Sequence, residues 1–251
     1  MYKVKSQVMS LFCIGIFFSA SCGYSVQPQK NSSSREYGGI CSVNTIVFTG
    51  DSITDAGRAK IIVPQMELGN GYVEMISRSV ISEYGEDAPV ILNSGVSGNT
   101  AQQLYSRFSS DVDAFSPDWV VILIGINDAY NQWSALTTTH TSENFRKYLD
   151  RIFHDYAYMY KKVFLVTPFY IEEHSVSEKR TQFLDAYLEA LYEVANFNSN
   201  TVLVDVQELF DNKLAEIGSD KFALLSPDHV HLTNAGNQII VDALLKAFEE
   251  N

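Results

Sequence analysis

The sequence predicts an α/β protein, a three-layer αβα sandwich built on a parallel, flavodoxin-like sheet of five strands. From residue 44 to the C-terminus, short apolar runs alternate with longer amphipathic segments, which is the pattern of strands joined by helical crossovers. The apolar runs are rich in Val, Ile, Leu and Phe without strict alternation, as in strands that are covered on both faces. Polar residues capable of chemistry recur directly after these runs, where parallel sheets hold their ligands.

The strands and helices are predicted from the length and period of each apolar pattern. Strands are predicted at 45–50, 89–94, 119–125, 162–168 and 201–206. Helices are predicted over 72–85, 100–115, 141–160, 180–197 and 233–250. The sequence contains no internal repeat, and a chain of 251 residues with one such series of elements predicts a single domain from 44 to 251.

The N-terminus has the pattern of an export signal. Lys3 and Lys5 precede an apolar run at 8–18, which is too short to cross a bilayer as an ordinary helix. We therefore expect residues 1–21 to be a signal that is removed on export. The polar, Ser-rich segment that follows predicts a flexible tether over 22–43.

Residues 18–23, FSASCG, resemble a bacterial lipobox, which makes Cys22 a candidate lipid anchor. Ser19 stands where that pattern usually has Leu. Two interpretations follow. The protein is a membrane-anchored lipoprotein, or it is cleaved at an ordinary signal site and is periplasmic or secreted. In the second case a disulfide between Cys22 and Cys41 can form in an oxidising compartment.

The charge balance excludes nucleic acid as a partner. The formal net charge is −12, with 18 basic and 30 acidic residues. Such a surface repels phosphate backbones, and the sequence contains no cluster of Lys and Arg that could counter this locally.

Three residues at predicted loop positions supply the groups of a serine-nucleophile site. Ser52 follows the first strand, and Asp228 and His231 lie three residues apart near the final helix. A histidine can take the proton of a serine when a carboxylate orients its ring. His229 is expected to face elsewhere. A zinc site at Asp228, His229 and His231 is the competing interpretation, but no further His or Cys lies near a strand end, so we predict neither a metal nor another cofactor.

An acyl-transfer site also needs hydrogen-bond donors for the developing oxyanion. The available donors are the backbone N–H groups of Ser52 and Gly98 and the side-chain amide of Asn127. The sequence lacks the G-x-S-x-G motif, which argues against the common α/β-hydrolase nucleophile elbow.

Four segments in order resemble the conserved blocks of the SGNH, or GDSL-type, hydrolases. They are FTGDSITDAGR at 48–58, NSGVSGNT at 93–100, IGIND at 124–128 and DHVH at 228–231. The resemblance spans the predicted domain. It implies that Ser52 is the nucleophile, that Ser52, Gly98 and Asn127 form the oxyanion hole, and that His231 is the base, oriented by Asp228.

Within that superfamily the sequence is similar to the branch of acetylxylan esterases and other carbohydrate acetylesterases. The segments that carry this similarity are GDSITDAGR, LGNGYV at 68–73, PDWVVILIGIND and DHVH. The branch implies a serine esterase that removes short acyl groups, such as acetyl, from carbohydrate hydroxyls through an acyl-enzyme. The alternatives are a lipolytic esterase or lysophospholipase, and a catalytically silent carbohydrate-binding lipoprotein.

Four further residues are candidate substrate contacts. Asp51 precedes the predicted nucleophile, and Tyr72, Tyr130 and Trp133 follow glycine or strand ends. Aromatic rings in such places can stack on sugars, although aromatic side chains are more often part of a core.

Overall fold

A parallel sheet of five strands lies at the centre of the protein, whose computed structural model describes residues 39–59, 64–134, 141–172 and 182–251. The strands are β1 (Thr45–Gly50), β2 (Val90–Gly95), β3 (Trp119–Leu123), β4 (Lys162–Val166) and β5 (Thr201–Val204). Their order is β2-β1-β3-β4-β5, and every neighbouring pair is parallel. This is the flavodoxin-like order, so the predicted fold class is confirmed.

Helices cover the sheet on both sides. They are α1 (Ser52–Asp55), α2 (Tyr72–Tyr84), α3 (Ala101–Asp111), α4 (Ile126–Trp133), α5 (Ser142–Asp155), α6 (Asp185–Phe197), α7 (Val206–Ile217) and α8 (Asn234–Glu249). One layer contains α3, α5 and α6, and the other contains α2, α8 and α7. Among the described residues, no helix combines the length and apolar character that a membrane span requires.

The core is densest beneath β3, the middle strand. All five of its residues are at most 1% exposed, because helices cover both faces of a parallel sheet. The ring of Trp119 packs against Phe164 and Phe248, with centroids 5.1 and 5.4 Å away. This rigid centre supports the loops that leave the carboxyl ends of the strands.

Three of the helices that the structure describes are missing from the sequence prediction, the first being the four-residue α1 that follows β1. The short helix α4 begins directly after β3, in a segment where the sequence analysis predicted no helix. The longer helix α7 places Val206, Phe210 and Leu214 in the core, a spacing of four residues that is typical of a helix. Asp205 caps it by accepting a hydrogen bond from the N–H of Glu208 at 3.0 Å, so the signal for α7 was present in the sequence.

The N-terminal boundary of the domain also differs from the prediction. The signal predicted over 1–21 lies outside the described residues, as does the tether up to residue 38. Gly39–Ser42 form a 3-10 turn, and Ile40 and Val43 are buried. The predicted tether is therefore wrong at 39–43, since apolar side chains tie this segment to the core.

Candidate active site

Ser52 occupies a sharp turn between β1 and α1. The last residue of β1, Gly50, lies so close to β3 that an added Cβ would be 2.0 Å from the carbonyl oxygen of Leu123. Only glycine allows this approach. Asp51 then caps α1, its Oδ1 accepting a hydrogen bond from the N–H of Ile53 at 3.0 Å. Ser52 is therefore the first residue of a short helix at the carboxyl end of the sheet.

Ser52, His231 and Asp228 form a hydrogen-bonded chain, as their spacing in the sequence predicted. Ser52 Oγ lies 3.0 Å from His231 Nε2. The other ring nitrogen, Nδ1, lies 2.7 Å from Asp228 Oδ2. A carboxylate can only accept, so Nδ1 carries the proton and Nε2 is left to accept one from the serine. This is the geometry of a nucleophile, a base and an orienting acid.

The loop that holds Asp228 and His231 is folded around the carboxylate itself. Asp228 Oδ1 accepts hydrogen bonds from the N–H groups of His231 at 2.7 Å and Val230 at 3.1 Å. Partial desolvation raises the pKa of the Asp228 carboxyl, but the hydrogen bonds from the His231 ring and these N–H groups outweigh it and hold the pKa at about 2. Asp228 is therefore ionised at any working pH. Buried Ser226 reinforces the loop, donating to the carbonyl of His231 at 2.8 Å.

Three donors come from Ser52 itself and from the segments that follow β2 and β3, the two strands that flank β1. Among the described residues, the N–H groups of Ser52 and Gly98 have no acceptor. Gly98 has a φ of +80°, a conformation that glycine adopts without strain. Asn127, in the first turn of α4, donates from Nδ2 to the carbonyl of Asn99 at 3.0 Å, which leaves its second N–H available. These are the donors that an oxyanion requires.

Arg107, which the sequence analysis missed, holds the two sides of the site together. From α3 its guanidinium donates to the carbonyls of Gly50 at 2.9 Å and Ser94 at 2.6 Å, and to Asn99 Oδ1 at 2.7 Å. It also pairs with Asp111 at 3.2 Å. Arg107 therefore joins the end of β1, next to the serine, to the loop that carries Gly98. No local sequence pattern marks this role.

Asp128 is a second supporting residue. Its carboxylate is 2% exposed and accepts the N–H of Ala101 with both oxygens, at 3.2 and 3.0 Å. This bond joins the start of α3, beyond Gly98, to the helix that carries Asn127. Burial raises the pKa of Asp128 to about 7, although the hydrogen bond from Ala101 favours its charged form.

Asn127→Ala is expected to lower kcat for p-nitrophenyl acetate by about 10²–10³-fold, the usual cost of one oxyanion-hole donor. KM should change little, because the donor acts on charge that develops only in the transition state. Steady-state kinetics test this, with the exposed Asn212→Ala on α7 as the control. A loss in kcat of less than threefold would remove Asn127 from the oxyanion hole.

Asp51 is not a substrate contact, so that expectation is wrong. Its side chain is fully buried beneath the turn that it caps. Its Oδ2 has no hydrogen-bond partner within the part of the chain that the structure describes. Burial raises the pKa of Asp51 to about 7, in spite of the hydrogen bond from Ile53 and the nearby charge of His231.

Replacing Asp51 by asparagine is expected to make stability less dependent on pH. A rise in a carboxyl pKa from 3.8 to about 7 means that the native state binds the proton more tightly. Stability is then lost as the pH rises between these values, by up to about 4 kcal/mol. The fall in melting temperature between pH 5 and pH 8 should be smaller in Asp51→Asn than in the wild type. The exposed Asp87→Asn should keep the wild-type slope, and equal slopes in all three proteins would contradict the prediction.

The three aromatic candidates divide between core and surface. Tyr72 is fully buried, and its hydroxyl lies 2.9 Å from Thr54 Oγ1, so the prediction that it lines a sugar cleft is wrong. Tyr130 and Trp133 lie on α4 and are 51% and 42% exposed, with ring centroids 5.9 Å apart. Tyr130 follows Asn127 by three residues, which places both on the same face of α4.

His229 takes no part in the hydrogen-bonded chain, as predicted. Its ring is stacked between Phe222 and Tyr170, with centroid distances of 4.6 and 5.1 Å. Its Nδ1 lies 2.7 Å from the carbonyl oxygen of Ile171. Among the described residues, no three His, Cys, Asp or Glu side chains are arranged to hold a metal ion.

A cleft of about 190 Å³ adjoins the serine and the histidine. It is lined by Ser52, Ala56, Asn70, His231, Leu232 and Asn237, among others. Its lining includes His231 but not Gly98 or Asn127. The cleft therefore opens on the histidine side of Ser52, and two of the oxyanion donors, Gly98 and Asn127, lie outside it.

Comparison with known proteins agrees with this geometry. The model of the GDSL-like Lipase/Acylhydrolase family matches residues 48–239. An acetylxylan esterase of Geobacillus stearothermophilus is 34% identical over 215 residues, which cover 82% of this chain and 94% of the esterase.

Solved structures extend the comparison. The crystal structure of Axe2, an acetylxylan esterase from Geobacillus stearothermophilus, gives a TM-score of 0.72 at 32% identity over 82% of this chain and 94% of Axe2. An alpha/beta hydrolase enzyme from the metagenome of Lake Arreo, Spain, gives 0.73 at 33% identity over the same shares. Alanine variants of Axe2 at one serine, one aspartate and one histidine are catalytic mutants of that enzyme.

Proposed function

Because the chain belongs to the GDSL-like lipase/acylhydrolase family and is a carboxylic ester hydrolase, we propose that it removes acetyl groups from carbohydrate hydroxyls by a serine mechanism. The hydrogen-bonded chain of Ser52, His231 and Asp228 beside unpaired donors carries this proposal. The Axe2 comparison supports it, since the serine, aspartate and histidine replaced in the Axe2 mutants have the same separations along their chain as these three residues.

The first half of the reaction forms an acyl-enzyme. His231 Nε2 takes the proton from Ser52 Oγ, and the oxygen attacks the ester carbonyl carbon. The carbonyl oxygen becomes negative and receives hydrogen bonds from the N–H groups of Ser52 and Gly98 and from the Asn127 amide. When the tetrahedral intermediate collapses, the bond to the sugar oxygen breaks, and His231 gives that oxygen the proton.

Water completes the cycle. His231 takes a proton from a water molecule, whose oxygen attacks the acyl carbonyl, and the bond to Ser52 Oγ breaks as the histidine returns the proton to the serine. Acetate is released, and the reaction uses no cofactor. Ping-pong kinetics are expected, because the alcohol leaves before water reacts.

The small, mixed lining of the cleft beside Ser52 offers no extended apolar surface for a long acyl chain. A lipase that holds a long acyl chain needs an extended apolar surface next to its nucleophile. Here polar Asn70 and Asn237 share the 190 Å³ cleft with Ala56 and Leu232. Tyr130 and Trp133 offer exposed rings on the helix of Asn127, and we place them as stacking surfaces for the carbohydrate.

The experiment compares p-nitrophenyl acetate with p-nitrophenyl octanoate, followed by acetate release from acetylated xylan. We expect kcat/KM for the acetate to exceed that for the octanoate by at least about tenfold, because the described surface beside Ser52 offers the extra methylenes no extended apolar contact. A preference for octanoate would support the lipolytic alternative. Hydrolysis of p-nitrophenyl acetate without release from any acetylated carbohydrate would refute the proposed substrate class.

A further inference from the structure

A second, larger groove runs between α2 and α8. Its volume is about 790 Å³, within the range of roughly 300–1,000 Å³ that small-molecule sites occupy. The residues that line it include Asn70, Glu74, Arg78, Ser79, Asn234 and Gln238. Most of them are polar, and several come from the exposed face of a helix.

This groove continues the cleft beside the nucleophile. Asn70 lines both the 190 Å³ cleft that contains Ser52 and His231 and the 790 Å³ groove. On α8, Asn237 lines the cleft and its neighbour Gln238 lines the groove. A molecule bound at the serine can therefore extend from the cleft into the groove along α2 and α8.

The lining offers hydrogen bonds that the protein does not use itself. Within the described residues, the side-chain amides of Asn70 and Asn234 have no hydrogen-bond partner, and both residues are exposed. Glu74 and Arg78 form an ion pair of 2.5 Å along one wall. Amide and charged groups of this kind pair with hydroxyls, each acting as donor, acceptor or both. An acyl chain would gain little from such a surface.

We propose that this groove binds the sugar residues next to the acetylated one in an oligosaccharide chain. The inference rests on the proposed function and deepens it. The leaving sugar oxygen must lie beside His231, because that imidazole returns the proton to it. The cleft lies on that same side of Ser52, and the groove continues it from Asn70. The carbonyl oxygen of the acetyl group points the other way, toward Gly98 and Asn127, so the sugars on the histidine side follow the groove. By contrast, Tyr130 and Trp133 are placed to stack on sugars at the other side.

The double variant Asn70→Ala/Asn234→Ala tests this. The substrates are acetylated xylotriose and p-nitrophenyl acetate, which has no sugar to fill the groove. We expect the ratio of kcat/KM for the trisaccharide to that for the small ester to fall about tenfold, since two hydrogen bonds are lost. The single variant Gln238→Ala should lower the same ratio independently and by a smaller factor. Asn196→Ala, an exposed amide at the end of α6, should leave the ratio unchanged.

The outcomes separate the two proposals. If the wild type hydrolyses p-nitrophenyl acetate but releases acetate from no acetylated carbohydrate, xylotriose included, the proposed function fails, and this inference fails with it. If the wild type deacetylates xylotriose and the ratio in the double and single variants equals that of the wild type, the proposal that the groove binds sugars is refuted, and the proposed function stands. Calorimetric titration of acetylated xylotriose into Ser52→Ala gives a second measurement, in which the Asn70 and Asn234 substitutions should raise Kd about tenfold.

Discussion

Replacing Ser52 by alanine should lower kcat/KM for p-nitrophenyl acetate by about 10⁴-fold or more, which is the effect of removing the nucleophile from a serine–histidine–aspartate set. The reason is structural. Ser52 Oγ is 3.0 Å from His231 Nε2, and removing it leaves the imidazole with no oxygen to activate except that of water. The oxyanion donors remain, so a small residual rate is expected.

The control for this loss is Ser106→Ala, an exposed serine on α3 whose hydroxyl donates to the carbonyl of Gln102. It should retain full activity. A rapid quench of the wild type with p-nitrophenyl acetate should reveal a protein heavier by one acetyl group, and Ser52→Ala should show none. If Ser52→Ala keeps more than about a tenth of the wild-type rate, another residue is the nucleophile.

Asp228→Asn should also reduce kcat, by about 10⁴-fold, with little effect on folding. An asparagine amide can donate a hydrogen bond to Nδ1 of His231, whereas the carboxylate only accepts from it at 2.7 Å. The donated bond favours the tautomer whose proton lies on Nε2, and that nitrogen can no longer accept the proton of Ser52. Steady-state kinetics and a melting curve of the variant check both parts.

The pH dependence of the wild type provides a further test of this arrangement. The pKa of Asp228 is about 2, so the carboxylate stays charged throughout the range in which the protein is assayed. Activity should nevertheless fall in acid, because a protonated imidazole cannot take the serine proton. Asp220 is an exposed carboxylate in the 3-10 turn Ser219–Leu224, which precedes the loop of Asp228. The control variant Asp220→Asn should keep the wild-type rate and pH profile. A rate that is constant from acid to neutral pH would contradict the role of His231 as base.

The site uses the topology of the sheet. Ser52 follows β1, Gly98 lies beyond β2 and Asn127 follows β3, and these three strands are neighbours in the order β2-β1-β3. The crossover after β1 leads to β2 on one side, and the crossover after β3 leads to β4 on the other. This reversal opens a crevice between β1 and β3 at the carboxyl ends of the strands. His231 then approaches from the loop before α8, so four separate segments meet at one place.

The sequence by itself determined the fold class, the strand positions to within about two residues and the residues at the centre of the site. Buried parallel strands need continuous apolar runs, which the sequence shows. A serine, a histidine and an aspartate that all fall at predicted loop positions are explained more simply by one shared site than by three separate structural roles. The helix α7 was also present in the sequence as an Asp205 cap and a four-residue apolar spacing, although that pattern was overlooked.

The tertiary structure alone decided what each polar or aromatic side chain faces. Asp51 and Tyr72 stand in the sequence beside functional motifs, yet both are buried, because the backbone turn and the packing of α2 direct them inward. Arg107 joins segments that are distant in sequence, and the groove between α2 and α8 exists only where two helices pack. Such features depend on distances between residues far apart in the chain, which no local pattern records.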